Sequence, residues 1–248
     1  MGRARYTPGV SSESPSAIII TDGGLPALVA AAIEAERAIT GSGGDGGQSR
    51  SVGLMPWPSC AGLAAVQCAA VASLARFFRF DLIEMPRICA EGPEISVGLF
   101  ETLALLAGVE AARGAGCCRV IWPVQYHADR DSLPSQLDRI AAAVDRALLV
   151  SRLGLLDGEG SSGGGAGEEI TIETPLVDLT DRQIADLVVD LDAPAYLCWW
   201  WRQLGEPEAE AVASVERGVW LAALGEAGWV QALPGVSVAT QTPSHAEG

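Results

Sequence analysis

Ala17-Ile18-Ile19-Ile20-Thr21-Asp22-Gly23-Gly24-Leu25-Pro26-Ala27-Leu28-Val29 is the stretch that decides the fold. Ala17–Thr21 is short and dominated by β-branched side chains, the composition of a strand buried on both faces. Asp22-Gly23-Gly24 turns the chain. From Leu25 the apolar residues recur at helical spacing, with Leu25, Leu28, Val29, Ala32 and Ile33 on one stripe. Pro26 falls in the first helical turn, where its missing N–H costs little. Strand, tight turn and helix in this order open an α/β domain.

The pattern repeats outward. Ser51–Met55 reads as a second strand, closed by Pro56-Trp57-Pro58, with Ser59 placed to cap the helix through Leu63, Val66, Val71 and Leu74. Phe80–Met85 alternates as a third strand. Leu99–Arg113 is a helix, Arg119–Val124 a fourth strand and Pro134–Arg152 another helix. Glu169–Glu173 is a fifth strand. Thr180-Asp181-Arg182-Gln183 has the form of a capping box before a helix carrying Ile184, Leu187, Val188 and Leu191. A last helix spans Pro207–Glu226. Strands alternating with helices at these lengths imply parallel crossovers with both sheet faces covered. One α/β domain over residues 17–230 follows. Residues 1–16 read as a loose leader, 41–50 and 157–167 as Gly-rich loops, and 231–248 as a disordered tail.

Charge narrows the partners. The net charge is −15 and all 16 basic residues are arginine. Such a surface disfavours nucleic acid, whose phosphates need cations, and anionic membranes. No lysine is available as a phosphate clamp or a Schiff-base nucleophile. No secretory leader is legible and no run reaches about 18 uninterrupted apolar residues. A cytoplasmic protein is expected, with its six cysteines as reduced thiols.

In a doubly wound sheet the ligand crevice lies at the carboxyl ends of the strands, at the switch point. That places the Asp22–Ala27 turn at the candidate site. Backbone N–H groups of Gly23 and Gly24 at a helix start could cradle phosphate. Against this, Asp22 sets a carboxylate beside the phosphate position and Pro26 removes a donor. The alternative is a turn that needs glycine only for geometry. An open crevice lined by basic groups would favour a nucleotide; one filled by Pro26, Trp57 and Pro58 would exclude it.

Ile172-Glu173-Thr174-Pro175-Leu176-Val177-Asp178-Leu179-Thr180 reads physically as a strand end, a proline stop and a capped helix. The stretch resembles the ETPL-D-L region of the PP-loop ATP pyrophosphatases, particularly the 7-cyano-7-deazaguanine synthases of queuosine and deazapurine biosynthesis. Residues 19–27 sit where that family carries its S-G-G-x-D-S loop. Phe100-Glu101-Thr102-Leu103-Ala104 resembles its helix after a Pro-Gly-Arg-Asn segment, and Gly205–Gly228 its final helix. The resemblance implies a Rossmann-like, adenine nucleotide alpha hydrolase-like sheet of five parallel strands in the order 3-2-1-4-5. It also implies ATP and Mg as cosubstrates, a C–N ligase that turns a carboxylate into an amide and then a nitrile, and a four-cysteine zinc site.

Each functional part is depleted here. The family's first Ser falls on Asp22, its Asp on Pro26 and its last Ser on Ala27, so Gly23 and Gly24 alone survive around Leu25. The acid after the second strand is replaced near Met55–Pro58. The arginine of the Pro-Gly-Arg-Asn segment is missing near Glu94–Val97. Of the zinc ligands Cys198 alone remains, and one thiolate cannot form a four-ligand site, so zinc is expected to be absent. Glu206, Glu208 and Glu210 read as an acidic helix start. The expectation is a catalytically degenerate homologue that binds a small-molecule nucleotide or a protein partner, with no catalytic residue assigned. The family-motif positions Glu173, Thr174, Pro175, Leu176 and Asp178 mark descent.

Two alternatives remain open. An active ATP-dependent ligase would hold phosphate on Gly23 and Gly24 and draw charge from an arginine such as Arg130. An interaction module, homodimeric or heteromeric, would use a surface at Trp199-Trp200-Trp201, which could otherwise plug the space of the zinc knuckle. His127, following the fourth strand, could reach the pocket with Tyr126 and Asp129.

Overall fold

The five residues Ala17–Thr21 form β1, and all five are buried. The computed structural model describes residues 15–41, 51–59, 61–84, 96–127, 133–158 and 169–229. Along them run α1 (Leu25–Gly41), β2 (Val52–Pro56), α2 (Ala64–Phe78), β3 (Asp81–Leu82), α3 (Val97–Ala115), β4 (Arg119–Ile121), α4 (Leu133–Gly158), β5 (Thr171–Glu173), α5 (Asp181–Asp190) and α6 (Pro207–Glu226). The strands form one sheet in the order β3-β2-β1-β4-β5, and every pairing is parallel. The expected doubly wound, Rossmann-like α/β fold and strand order are therefore observed. The leader up to residue 14, residues 42–50 and 159–167 of the two Gly-rich loops, and the tail lie outside the described residues.

The alternation of β1 sends Ala17 and Ile19 to one face and Ile18 and Ile20 to the other. The first face packs on α1, α2, α5 and α6. The second packs on α3 and α4. The approach of α3 depends on Gly108, where a Cβ would lie 2.4 Å from Ile20 Cδ1. The stretch Ala61–Phe78, mean hydropathy 1.5, is long and apolar enough by composition to cross a membrane. In the fold its Ala70, Val71, Leu74 and Ala75 are buried in the core.

Several boundaries differ from expectation. The third strand keeps only Asp81 and Leu82, because its register with β2 ends after two pairs. Ser59 does not cap α2: Leu63 occupies the N-cap, and Gln67 bonds back to both the amide and the hydroxyl of Ser59. α1 continues through Thr40, whose hydroxyl bonds the Glu36 carbonyl. α4 continues past Arg152 because Gly154 acts as a packing contact and not as a helix stop. A Cβ there would lie 2.9 Å from Val109 Cγ1, and Arg113 donates to its carbonyl. The capping box at Thr180 and Gln183 is present.

Candidate functional site

The turn after β1 satisfies its own amides. The Gly23 N–H donates to Thr21 Oγ1 at 2.8 Å, and the Gly24 N–H donates to Asp22 Oδ1 at 2.9 Å. Gly23 takes φ +81°, a left-handed conformation suited to glycine, and a Cβ there would lie 2.9 Å from the Ala70 Cβ of α2. The Gly23 carbonyl accepts from the Trp199 N–H. Both glycine amides that could meet a phosphate are thus committed to side chains of the same turn.

Asp22 is half-buried at the mouth of this turn. Desolvation raises its carboxyl from 3.8 to about 6, with Glu216 adding to the rise and hydrogen bonds from Gly24 and Trp199 opposing it. The positions Leu25 and Ala27 are buried, while Pro26 keeps a partly exposed face.

A crevice of about 290 Å³ opens at the carboxyl ends of β1 and β4. Asp22, Gly24, Pro26 and Ala27 form one side of it. Trp57, Trp122, Trp199, Trp220 and Phe100 supply aromatic walls, and Glu101, Glu216 and His127 supply charge. Pro26 and Trp57 therefore line the space without filling it. Among the described residues no arginine lines it. The nearest guanidinium to Glu101, that of Arg146, is engaged in an ion pair with that carboxylate.

His127 is fixed from both sides. Its Nδ1 lies 2.8 Å from Asp181 Oδ1, and its Nε2 lies 3.3 Å from Glu216 Oε1. Burial pulls the imidazole pKa down, but the hydrogen bonds and charges of Asp181 and Glu216 outweigh it and raise the value to about 9. The ring is therefore an imidazolium at neutral pH. Asp181 is brought here by the capping box that starts α5, and it also accepts from Gln125 Nε2 at 2.7 Å. Glu216 accepts from Trp220 Nε1 at 2.8 Å, one turn further along α6, and so orients that indole.

No family model matches the chain, and a search of curated proteins finds no match either.

The expected site residues divide. Asp22 through Ala27 do stand at the switch point. Glu173 is not at the crevice: its carboxylate clamps Arg119 at 2.7 and 3.0 Å, and Arg119 reaches on to the buried Glu34. Leu176 is buried in the core, Thr174 is half-buried, and Pro175 and Asp178 are exposed. These positions build the β5–α5 connection.

The tryptophan surface needs correction. Trp199 and Trp200 are 6% and 0% exposed, and Trp201 is half-buried against Trp200 and Trp229. The three follow a 3-10 turn at Ala195–Leu197, so their side chains diverge into the core and Trp199 and Trp200 offer no outer surface. The segment where the resemblance places a zinc knuckle is held by Arg217. This residue donates to the carbonyls of Trp200 and Arg202 and pairs with Glu210, which accepts from the Leu204 amide. Glu210 is thus a loop anchor as well as a helix-start acid.

Cys198 is buried, and burial followed by the fields of Asp22 and Glu216 raises its thiol pKa well above the usual range. Asp181 and Glu216 contact opposite nitrogens of His127 and do not converge on one point. Among the described residues no group of three His, Cys, Asp or Glu side chains is placed to hold a metal ion. Tyr126 turns away from the crevice into the α3–α4 core, with Arg139 over its ring at 4.3 Å. Asp129 and Arg130 lie outside the described residues.

Glu216, Trp122 and Trp220 were not singled out in the sequence. The one available signal was the spacing of Glu216 and Trp220, four apart on one helix face.

Proposed function

We propose that this chain is a catalytically silent relative of the PP-loop ATP pyrophosphatases, of the 7-cyano-7-deazaguanine synthase kind. On this reading it keeps the switch-point crevice as a binding site for a small planar molecule and has lost the triphosphate cradle. The observation that carries the reading is the self-satisfied turn. The Gly23 and Gly24 amides already donate to Thr21 and Asp22.

The magnitudes favour loss over remodelling. A carboxylate at about 4 Å from a phosphate charge costs roughly 4 kcal/mol in an effective dielectric of about 20. Removing one preorganised oxyanion donor costs about 3 kcal/mol more in the transition state. Two amides and the family's two hydroxyls are affected together. The crevice, at about 290 Å³, sits at the low end of small-molecule pockets, which run from about 300 to 1,000 Å³. Its volume suits one or two rings better than a nucleoside triphosphate. The partner-binding reading through Trp199–Trp201 is not favoured, since the first two indoles belong to the core.

The test is a product assay. The full chain is incubated with ATP, Mg, ammonia and carboxylated deazaguanine, and AMP, amide and nitrile are sought by mass spectrometry. No product above a no-protein control is expected. Amide or nitrile formed in multiple turnovers contradicts the reading.

A further inference from the structure

The charge and the walls of the crevice together select a ligand class. Asp22, Glu101 and Glu216 place three carboxylates on its lining, and Trp57, Trp122, Trp199 and Trp220 place four indoles there. Among the described residues the cations nearby are engaged: Arg146 by Glu101, Arg139 over the Tyr126 ring, and the His127 imidazolium by Asp181 and Glu216. Asp22 has no such match among the described residues. Its hydrogen bonds come from the Gly24 amide and from Trp199, and the charge acting on it is a second carboxylate, Glu216.

We propose that the crevice binds a small planar organic cation, an amidinium, guanidinium or protonated aromatic amine, seated between the indole faces with its N–H groups on Asp22. The inference rests on the crevice being a binding site, as proposed above.

The chemistry runs in one direction. Indole faces carry the negative end of an aromatic quadrupole and attract a cation over the ring. A carboxylate accepts about four hydrogen bonds, so Asp22 retains capacity beyond those from Gly24 and Trp199. A planar fork of N–H donors matches that geometry. An anion would meet repulsion from both the carboxylates and the π faces. A neutral ring would stack but leave the Asp22 charge without compensation. Burial has already raised the Asp22 carboxyl to about 6, the direction expected of an anion held without a counter-cation. An arriving cation would supply one.

An isosteric series separates these cases. Benzamidinium, benzamide and benzoate share one shape and carry charges of about +1, 0 and −1 near neutral pH. Each is titrated into the full chain by calorimetry, with tryptophan fluorescence as a second readout. Benzamidinium is expected to bind at least about tenfold more tightly than benzamide, with benzoate weakest. Asp22→Asn is expected to bring benzamidinium to within about twofold of benzamide, since the stacking surface stays and the charge goes. Circular dichroism and melting confirm that the variant is folded, and Glu216→Gln provides a second variant with a smaller loss.

Equal affinity for benzamidinium and benzamide, or preference for benzoate, overturns the cation proposal and leaves the crevice as a binding site. An unchanged preference in Asp22→Asn likewise overturns the role of Asp22. Failure of all three probes to bind at about 10 mM overturns both the cation proposal and the reading of the crevice as a site.

Discussion

Asp22 carries most of what distinguishes this site, and its carboxyl makes a prediction about pH. Its value in the folded chain, about 6, lies above the ordinary 3.8. The folded state therefore binds this proton more tightly than the unfolded state does. Stability from this group falls as pH rises from about 4 to about 6 and stays low above that. His127 works on the other side. Its folded value, about 9 against 6.5, gives stability that is complete below about 6.5 and lost as pH rises through about 9. Melting of Asp22→Asn against wild type should show the variant more stable at neutral pH, with the gap closing by about pH 4. His127→Gln should be less stable at neutral pH and converge with wild type above about pH 9. A constant gap across pH in either comparison contradicts the assignment of that group.

The Asp22 result was legible in advance only in part. The sequence shows a carboxylate where the resemblance would place a phosphate-binding hydroxyl. It does not show that the Asp22 and Thr21 side chains take both glycine amides, because that depends on the rotamers of Thr21 and Asp22. Nor does it show Glu216 and Trp220 beside them, almost two hundred residues away along the chain, since α6 reaches the site through packing on α5 and the core.

Elements were most readable where local chemistry marked both ends. Pro207 in the first turn and Gly228 at φ +81° just beyond the end bracket α6, and its observed bounds are Pro207–Glu226 as expected. The α5 start was equally plain from its capping box. Elements whose bounds depend on neighbours were less readable. β3 is an edge strand with only β2 beside it, and its pairing stops at Leu82 although the Ile83 N–H still donates to the Leu54 carbonyl. The helix expected to end at Arg152 runs on, with Gly154 serving the α3–α4 contact.

The same scale carries a prediction on the β4–β5–α1 junction. Arg119 joins Glu173 on β5 to Glu34 on α1, and the Glu34 side chain is only 4% exposed. Replacing Arg119 by Met leaves that carboxylate without its cross-element partner. Urea unfolding should show a loss of about 2 kcal/mol, less than for a fully buried pair because Arg119 is partly solvated. Glu34→Gln added to this variant should recover part of the loss, since the largely exposed Arg37 is then the remaining ion-pair partner of that buried carboxylate among the described residues. A single variant as stable as wild type contradicts this role for the pair.

At the scale of the molecule, a parallel sheet covered on both faces was legible because strand and helix periods alternate from Ala17 to Glu226, while the order 3-2-1-4-5 was implied by the resemblance and is observed. The position of the crevice follows from that topology. Its chemical character does not, because aromatic and acidic side chains from the β1 turn, the end of β4, α3 and α6 are brought together only by the closed fold. The outcome is a Rossmann-like α/β architecture with an acidic, indole-walled mouth. The most direct measurement is calorimetric titration of ATP-Mg into the full wild-type chain near neutral pH. The self-satisfied turn at Thr21–Gly24 predicts no saturable heat up to about 1 mM ATP, while a one-site isotherm with a Kd of about 10 μM or tighter would contradict it.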